Sequence, residues 1–315
     1  MEKEIQDIAI AGVGTMGTSI GQTFAENGYH VVLYGRRDSS IEKGEKLISI
    51  FQENELKEGR KKEDEICRIN DNITYSTDMA CFSDADLVVE SITENMDMKQ
   101  KFWRAASAVC RKNAILTSNT SGLSLTRIAD AVICPERFCG MHWLNPPHIC
   151  PLVEVVPASA TGDDTVDAVC RIVQSLKHVP VRLKKEIPGF LVNRFQFAVL
   201  REAMSLVEEG IADKEDVDKV FKYGLGLRYA CLGPFEIADL GGLDVFYNIA
   251  KYLFHDLSDV QDVHAILKEL VESGKFGVKA KAGFYDYGDG KDLEAIAYRD
   301  RMYQRVSDVL YGRDQ

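Results

Sequence analysis

Four polar residues of this 315-residue chain stand where structural elements should end or begin. Ser121 follows an apolar run in Ser118-Asn119-Thr120-Ser121-Gly122, and His142 closes Arg137-Phe138-Cys139-Gly140-Met141-His142. Glu154 lies inside Pro151-Leu152-Val153-Glu154-Val155-Val156, and Asn193 lies in Pro188-Gly189-Phe190-Leu191-Val192-Asn193-Arg194. Glu154 is informative through its cost. A carboxylate in an otherwise apolar strand must find a partner, or it shifts its pKa and becomes neutral. A histidine is a natural partner. The pair makes a competent general base, because the carboxylate orients the ring and stabilises the imidazolium that proton transfer creates. Either residue alone reads as a satisfied core side chain. The two together, beside a nucleotide-binding turn, point to catalysis.

That turn lies near the start. An apolar run, Ile8 to Ala11, meets Gly12-Val13-Gly14-Thr15-Met16-Gly17; a helix-like segment follows, then a second apolar run from Val31 to Tyr34. Strand, glycine turn, helix, strand is the unit that holds a dinucleotide. Gly12 allows the tight turn, Gly14 the approach of a pyrophosphate, and Gly17 close packing of helix on strand. The pyrophosphate is expected on free N–H groups at the helix start, around Thr15 and Met16, where the helix dipole favours negative charge. The end of the second strand departs from the usual NAD pattern. Tyr34-Gly35-Arg36-Arg37-Asp38 puts glycine where an acid should bond the ribose 2′-hydroxyl. Glycine leaves room and arginine offers paired donors to a 2′-phosphate, so NADP(H) is the favoured cofactor and NAD(H) the alternative. In the other reading, Arg36 and Arg37 are solvated and Asp38 takes the acid's part.

The elements that position these residues follow from pattern. Apolar runs at 5–11, 29–34, 73–76, 87–92, 114–118, 137–142, 152–156 and 179–183 alternate with helical segments, as a doubly wound Rossmann-like α/β sheet requires. Residues 39–72 read as an inserted hairpin of two polar helices, either a solvated excursion or a lid. From Phe190 the pattern becomes helical, with segments at 191–209, 214–223, 234–254 and 263–273 and a tail from Asp292. The expectation is a dinucleotide-binding domain over 1–187 and an all-helical C-terminal domain over 188–315. The second carries many apolar faces and is expected to form a homodimer and to help bind substrate. Ligands of open α/β sheets lie beyond the carboxyl ends of the strands, which is where Ser121 and His142 fall.

Composition narrows the partners. A net charge of −11 argues against nucleic acid or an anionic membrane as the main partner. The polar start MEKEIQD has no export-signal pattern, and no apolar run approaches the ~20 residues that span a bilayer. Eight cysteines without a C-x-x-C pair read as reduced thiols, not as a metal site or disulfide framework. The chain is expected to be cytoplasmic and to act on a small molecule.

Over nearly its whole length the sequence resembles the L-3-hydroxyacyl-CoA dehydrogenase family. The glycine turn, Val88-Val89-Glu90-Ser91, Glu94-Asn95, Ser118 to Ser121, His142 to Pro146, Leu152 to Val155, Pro188 to Arg194, Gly233-Pro234-Phe235-Glu236 and Gly283-Phe284-Tyr285-Asp286-Tyr287 carry the likeness. The resemblance implies that His142 is the acid/base on the C3 oxygen and Glu154 its partner. It places Ser121 and Asn193 on substrate oxygens, and Glu94, Asn95 and Lys99 near the nicotinamide ribose. A CoA-binding role for the hairpin falls on Lys57, Arg60, Lys61 and Lys62. The reaction implied is oxidation of a short-chain 3-hydroxyacyl-CoA. The wording of Asn145 to Pro157 and of Leu225-Gly226-Leu227-Arg228-Tyr229-Ala230 is similar to the lambda-crystallin and L-gulonate dehydrogenase branch as well, which implies a free hydroxy acid or polyol acid as the alternative. Arg228 is then a candidate for the substrate carboxylate.

Overall fold

Near-continuous apolar runs bury both faces of the central strands of the first half, while the edge strands are only partly covered. The computed structural model of the protein describes residues 5–312. The first four residues of the polar start and residues 313–315, at the end of the expected helical domain, lie outside it. The strands are β1 (Asp7–Ala11), β2 (His30–Tyr34), β3 (Ile73–Ser76), β4 (Leu87–Glu90), β5 (Ile115–Ser118), β6 (Phe138–Trp143), β7 (Leu152–Pro157) and β8 (Val179–Arg182). They form one eight-stranded sheet in the order β3-β2-β1-β4-β5-β6-β7-β8. All neighbours pair in parallel except β6 and β7, which are antiparallel. The order reverses between β1 and β4, the switch point at which such sheets bind nucleotides.

Six helices flank the strands: α1 (Thr15–Glu26), α2 (Asp38–Lys57), α3 (Glu63–Asp71), α4 (Met96–Val109), α5 (Leu125–Ala129) and α6 (Asp163–Ser175). Ile8 and Ile10 join Ile20, Phe24, Leu33 and Trp143 in one core; Ala9 and Ala11 join Phe102, Trp103, Leu116 and Phe138 in the other. Small residues alternate with branched ones along β1, so the two faces accept different partners. The insertion at 39–72 is formed by α2 and α3, which turn at Gly59 with φ +68.

The chain divides into two compact units between Leu191 and Val192, slightly past the boundary expected at 188. The Leu191 N–H donates to Glu154 Oε1 of β7 at 2.8 Å, which ties residues before the break to the sheet. The second unit contains α7 (Val192–Glu208), α8 (Lys214–Val220), α9 (Gly226–Cys231), α10 (Pro234–Gly241), α11 (Leu243–Leu253), α12 (Ala265–Glu272) and α13 (Lys291–Tyr311). Apart from two isolated bridges between 277 and 286, its described residues form no strand. Two expected helices are altered. The one at 214–223 runs on through a π-helical stretch, Phe221–Leu225, into α9. The one at 234–254 breaks at Gly242, whose φ of +90 an L side chain would resist. Among the described residues no helix is long and apolar enough to cross a membrane.

Candidate active site

The antiparallel pairing of β6 and β7 sets His142 directly opposite Glu154. Their side chains meet across the strands, with His142 Nδ1 2.8 Å from Glu154 Oε2. Glu154 is 0% exposed and His142 is buried. An acceptor at Nδ1 assigns the neutral ring the Nδ1–H tautomer and leaves the Nε2 lone pair for proton transfer. The second Glu154 oxygen accepts the Leu191 N–H. Phe190 completes this setting: its ring lies 5.6 Å from the imidazole, edge to face, and is 1% exposed. It is held there at φ +49, a left-handed conformation that costs about 1–2 kcal/mol for a residue with a side chain. Sequence reading did not single out Phe190; a positive φ leaves no mark on a residue other than glycine.

Ser121 belongs to a second cluster at the ends of β4 and β5. Glu94 Oε1 accepts from the Thr120 hydroxyl at 2.6 Å, the Ser121 N–H at 3.0 Å, the Gly122 N–H at 3.3 Å and the Ser121 hydroxyl at 3.4 Å. Burial pushes the Glu94 carboxyl up, but the Thr120 hydroxyl, the Lys99 ammonium and the Ser121 N–H outweigh it and hold it below the usual carboxylate range. Asn95 caps α4, its side chain accepting the Met98 N–H at 3.0 Å. Lys99, for which the resemblance implies a place near the nicotinamide ribose, is 1% exposed. Its Nζ is bound to Glu90 Oε1 at 2.5 Å, Glu94 Oε2 at 3.3 Å and the Ile92 carbonyl at 3.4 Å. Three acceptors use all three of its protons, so Lys99 acts from beneath Glu94. Glu90 was legible only as part of a motif, yet it is a fully buried charge at the end of β4.

The glycine turn fits a dinucleotide. Gly12 has φ +116, and a Cβ there would strike the Ser91 carbonyl; a Cβ on Gly17 would strike the Gly12 carbonyl. At Gly14 the space is open, and α1 begins with no side-chain cap over Thr15 and Met16, which leaves its first N–H groups for an anion. The room expected at Gly35 is absent. A Cβ there would meet Ile41 Cδ1 at 2.9 Å and Val13 Cγ2 at 3.1 Å, so apolar packing from α2 fills the place of the usual acid. Arg36 and Arg37 are exposed.

The remaining candidates are more scattered. At the hairpin, Lys57 pairs with Glu53, Arg60 with Glu55 and Glu58, and Lys61 with Glu26. Lys62 is exposed. Asn193 lies in the first turn of α7 and Arg228 is exposed on α9, both in the second unit. All eight cysteines are free thiols, and the described residues contain no cluster of three His, Cys, Asp or Glu side chains that could hold a metal ion.

Comparison with known proteins decides the family. Residues 7–187 match the NAD binding domain of 3-hydroxyacyl-CoA dehydrogenase, and residues 189–287 match its C-terminal domain. The chain belongs to the 3-hydroxyacyl-CoA dehydrogenase family. It is an oxidoreductase of CH–OH donors that uses a nicotinamide dinucleotide. A 5-formyl-3-hydroxy-2-methylpyridine 4-carboxylate 5-dehydrogenase of Mesorhizobium japonicum is 34% identical over 313 residues, covering 98% of this chain and all of its own. The crystal structure of such an enzyme, described as an NAD+ dependent dismutase, superposes with a TM-score of 0.90 at 33% identity over 99% of this chain and 100% of its own. A 3-hydroxybutyryl-CoA dehydrogenase of Clostridioides difficile is also 34% identical, over 281 residues, covering 89% of this chain and 99% of its own. The solved 3-hydroxybutyryl-CoA dehydrogenase of Escherichia coli K12 gives a TM-score of 0.77 at 31% identity over 90% of this chain and 60% of its own.

Proposed function

We propose that this family member oxidises and reduces the CH–OH carbon of a small substrate that carries a free carboxylate, without a CoA carrier. The observation that carries this reading is the hairpin. Three of the four cations that a CoA phosphate would need are already paired with glutamates, and residues 39–72 hold nine acids against seven bases. The relative that matches the chain end to end, α13 included, is named for a pyridine carboxylate, whereas the family model of the helical domain stops at residue 287. CoA thioesters are the second reading, favoured by the hydroxybutyryl-CoA relatives and by exposed Lys62.

A bound nicotinamide supplies the acceptor or donor of the hydride. In oxidation, His142 Nε2 takes the hydroxyl proton, and Glu154, fixed by the Leu191 N–H, stabilises the imidazolium. In reduction His142 returns it. The Ser121 hydroxyl and the Asn193 amide hold the substrate oxygens, and Arg228 pairs with the carboxylate through two parallel hydrogen bonds. Gly12, Gly14, Thr15, Met16 and Gly17 cradle the pyrophosphate. With no acid at position 35 and two exposed guanidiniums after it, the reading includes a preference for NADP(H). The exposed apolar side chains of Phe235, Leu243, Tyr247 and Phe254 support a homodimer through the helical unit, and eight reduced thiols suit the cytoplasm.

A panel of acetoacetate, L-gulonate and acetoacetyl-CoA, each followed by nicotinamide absorbance with His142→Ala as the blank, tests the substrate class. Turnover of a free acid above that of the thioester is expected. Turnover of acetoacetyl-CoA alone returns the second reading.

A further inference from the structure

Beneath the Ser121 loop lies a closed ring of polar groups, four of them buried (Glu90, Lys99, Ser118 and Thr120) and one, Glu94, partly exposed. Glu90, the last residue of β4, accepts the Ser118 hydroxyl at 2.7 Å on Oε2, and the Ile92 N–H at 3.0 Å and the Lys99 ammonium at 2.5 Å on Oε1. From Glu90 two arms run to the Thr120–Gly122 turn and meet at Thr120. One passes through Ser118, whose hydroxyl oxygen accepts the Thr120 N–H at 3.3 Å. The other passes through Lys99 to Glu94, which gathers the Thr120 hydroxyl and the N–H groups of Ser121 and Gly122. The Thr120 hydroxyl also accepts the Leu123 N–H at 3.1 Å and so closes the loop on itself.

The charges explain why Glu90 is there. Lys99 is buried, and its other carboxylate partner, Glu94, is 42% exposed at the side chain. A buried ammonium with only a solvated partner would draw that partner inward. With the fully buried Glu90 as its main counter-charge, Lys99 is neutralised from below, and Glu94 keeps Oε1 for the loop. A buried pair of this kind stabilises little by itself against an apolar alternative. What it supplies is a fixed geometry.

We propose that Glu90 is a positioning residue: through Lys99 and Ser118 it holds the Thr120–Ser121–Gly122 turn so that the Ser121 hydroxyl is presented to the substrate oxygen. This rests on the reading of Ser121 as a substrate contact. Glu90 touches neither substrate nor cofactor.

Two measurements on the full-length protein test it. By hydrogen–deuterium exchange at neutral pH, Glu90→Gln should make residues 119–124 exchange about tenfold faster while the β6–β7 hairpin keeps its protection. In kinetics, with whichever of acetoacetate, L-gulonate or acetoacetyl-CoA is turned over best, Glu90→Gln should lower kcat/KM about 10- to 100-fold. In a Ser121→Ala background the same change should cost almost nothing further, because its effect passes through that hydroxyl. Ser118→Ala, which removes one arm and no charge, should repeat the pattern at smaller size if Glu90→Gln fails to fold. Exchange that is unchanged at 119–124, or raised equally everywhere, overturns the proposal. So does a loss in kcat/KM that adds fully to that of Ser121→Ala. If Ser121→Ala alone leaves kcat/KM intact, the reading of Ser121 fails, and the proposal with it.

Discussion

Glu154→Gln is the sharpest test of the acid/base assignment, because the structure leaves the amide no good orientation. Glu154 accepts on both oxygens: His142 Nδ1 at 2.8 Å and the Leu191 N–H at 2.8 Å. Glutamine has one oxygen and one NH2 group. If the oxygen faces His142, the NH2 group opposes the Leu191 N–H, donor against donor. If it faces Leu191, the NH2 group donates to Nδ1 and forces the ring into the tautomer with hydrogen on Nε2, which cannot accept a proton there. The first orientation loses one hydrogen bond to a buried group, which costs about 1.5–3 kcal/mol of stability; the second keeps both bonds but holds the ring in the unreactive tautomer. Both orientations also remove the negative charge that stabilises the imidazolium. Loss of general acid/base action is worth about 10²–10⁴-fold in kcat. The assay is steady-state kcat and KM in both reaction directions, with thermal unfolding measured in parallel. Glu154→Gln is expected to approach His142→Ala in kcat while KM changes little. A variant that keeps kcat within about threefold of the wild type, though still folded, would refute the assignment.

Two further outcomes follow from the cofactor end and from the Ser121 loop. The wild type should show a higher kcat/KM with NADPH than with NADH, and Arg36→Ala should remove about 1.5–3 kcal/mol of that preference, the worth of a hydrogen bond to a charged group; equal efficiency with both cofactors in the wild type defeats the idea. Glu94, whose carboxyl lies below its ordinary value of 4.5, stabilises the folded state above that pH and loses the effect as pH falls through the lowered value. The Tm gap between wild type and Glu94→Gln should therefore be widest near neutrality and close below pH 4.5; two curves falling in parallel would show that Glu94 contributes no such linkage.

The parallel part of the sheet was legible because buried strands read as apolar runs between helices, and the glycine turn because each glycine answers a steric demand. Gly17, for example, lies too close to the Gly12 carbonyl to bear a side chain. The pairing of His142 with Glu154 was legible from cost alone, since a carboxylate between Val153 and Val155 must be met by something. The rest depends on distances that sequence does not carry. Nothing in Gly35-Arg36-Arg37 reveals that Ile41, six residues on from Gly35, occupies the place of the missing acid. The burial of Lys99 was not legible, because it depends on Glu90, which the sequence shows only as part of a motif. The helix break at Gly242 and the π-helical stretch before Arg228 are small displacements of backbone that a helical period tolerates.

The one antiparallel step in the sheet explains how the His142–Glu154 pair is built. Were β7 parallel to β6, its connection would be a long crossover, and residues twelve apart in sequence would lie far apart in space. The reversal after Trp143 instead brings β7 back beside β6 with His142 and Glu154 in register, so two adjacent strands hold the pair on the backbone ladder itself. The same ladder carries β8 on the far side of β7, with Glu154 opposite Val181. The carboxylate is thereby flanked by a strand on each side. The loop residues that do reach it, Phe190 against the ring and Leu191 at the second oxygen, come from the last residues before the helical unit begins. The chain that leaves the sheet is thus tied to the carboxylate that His142 faces.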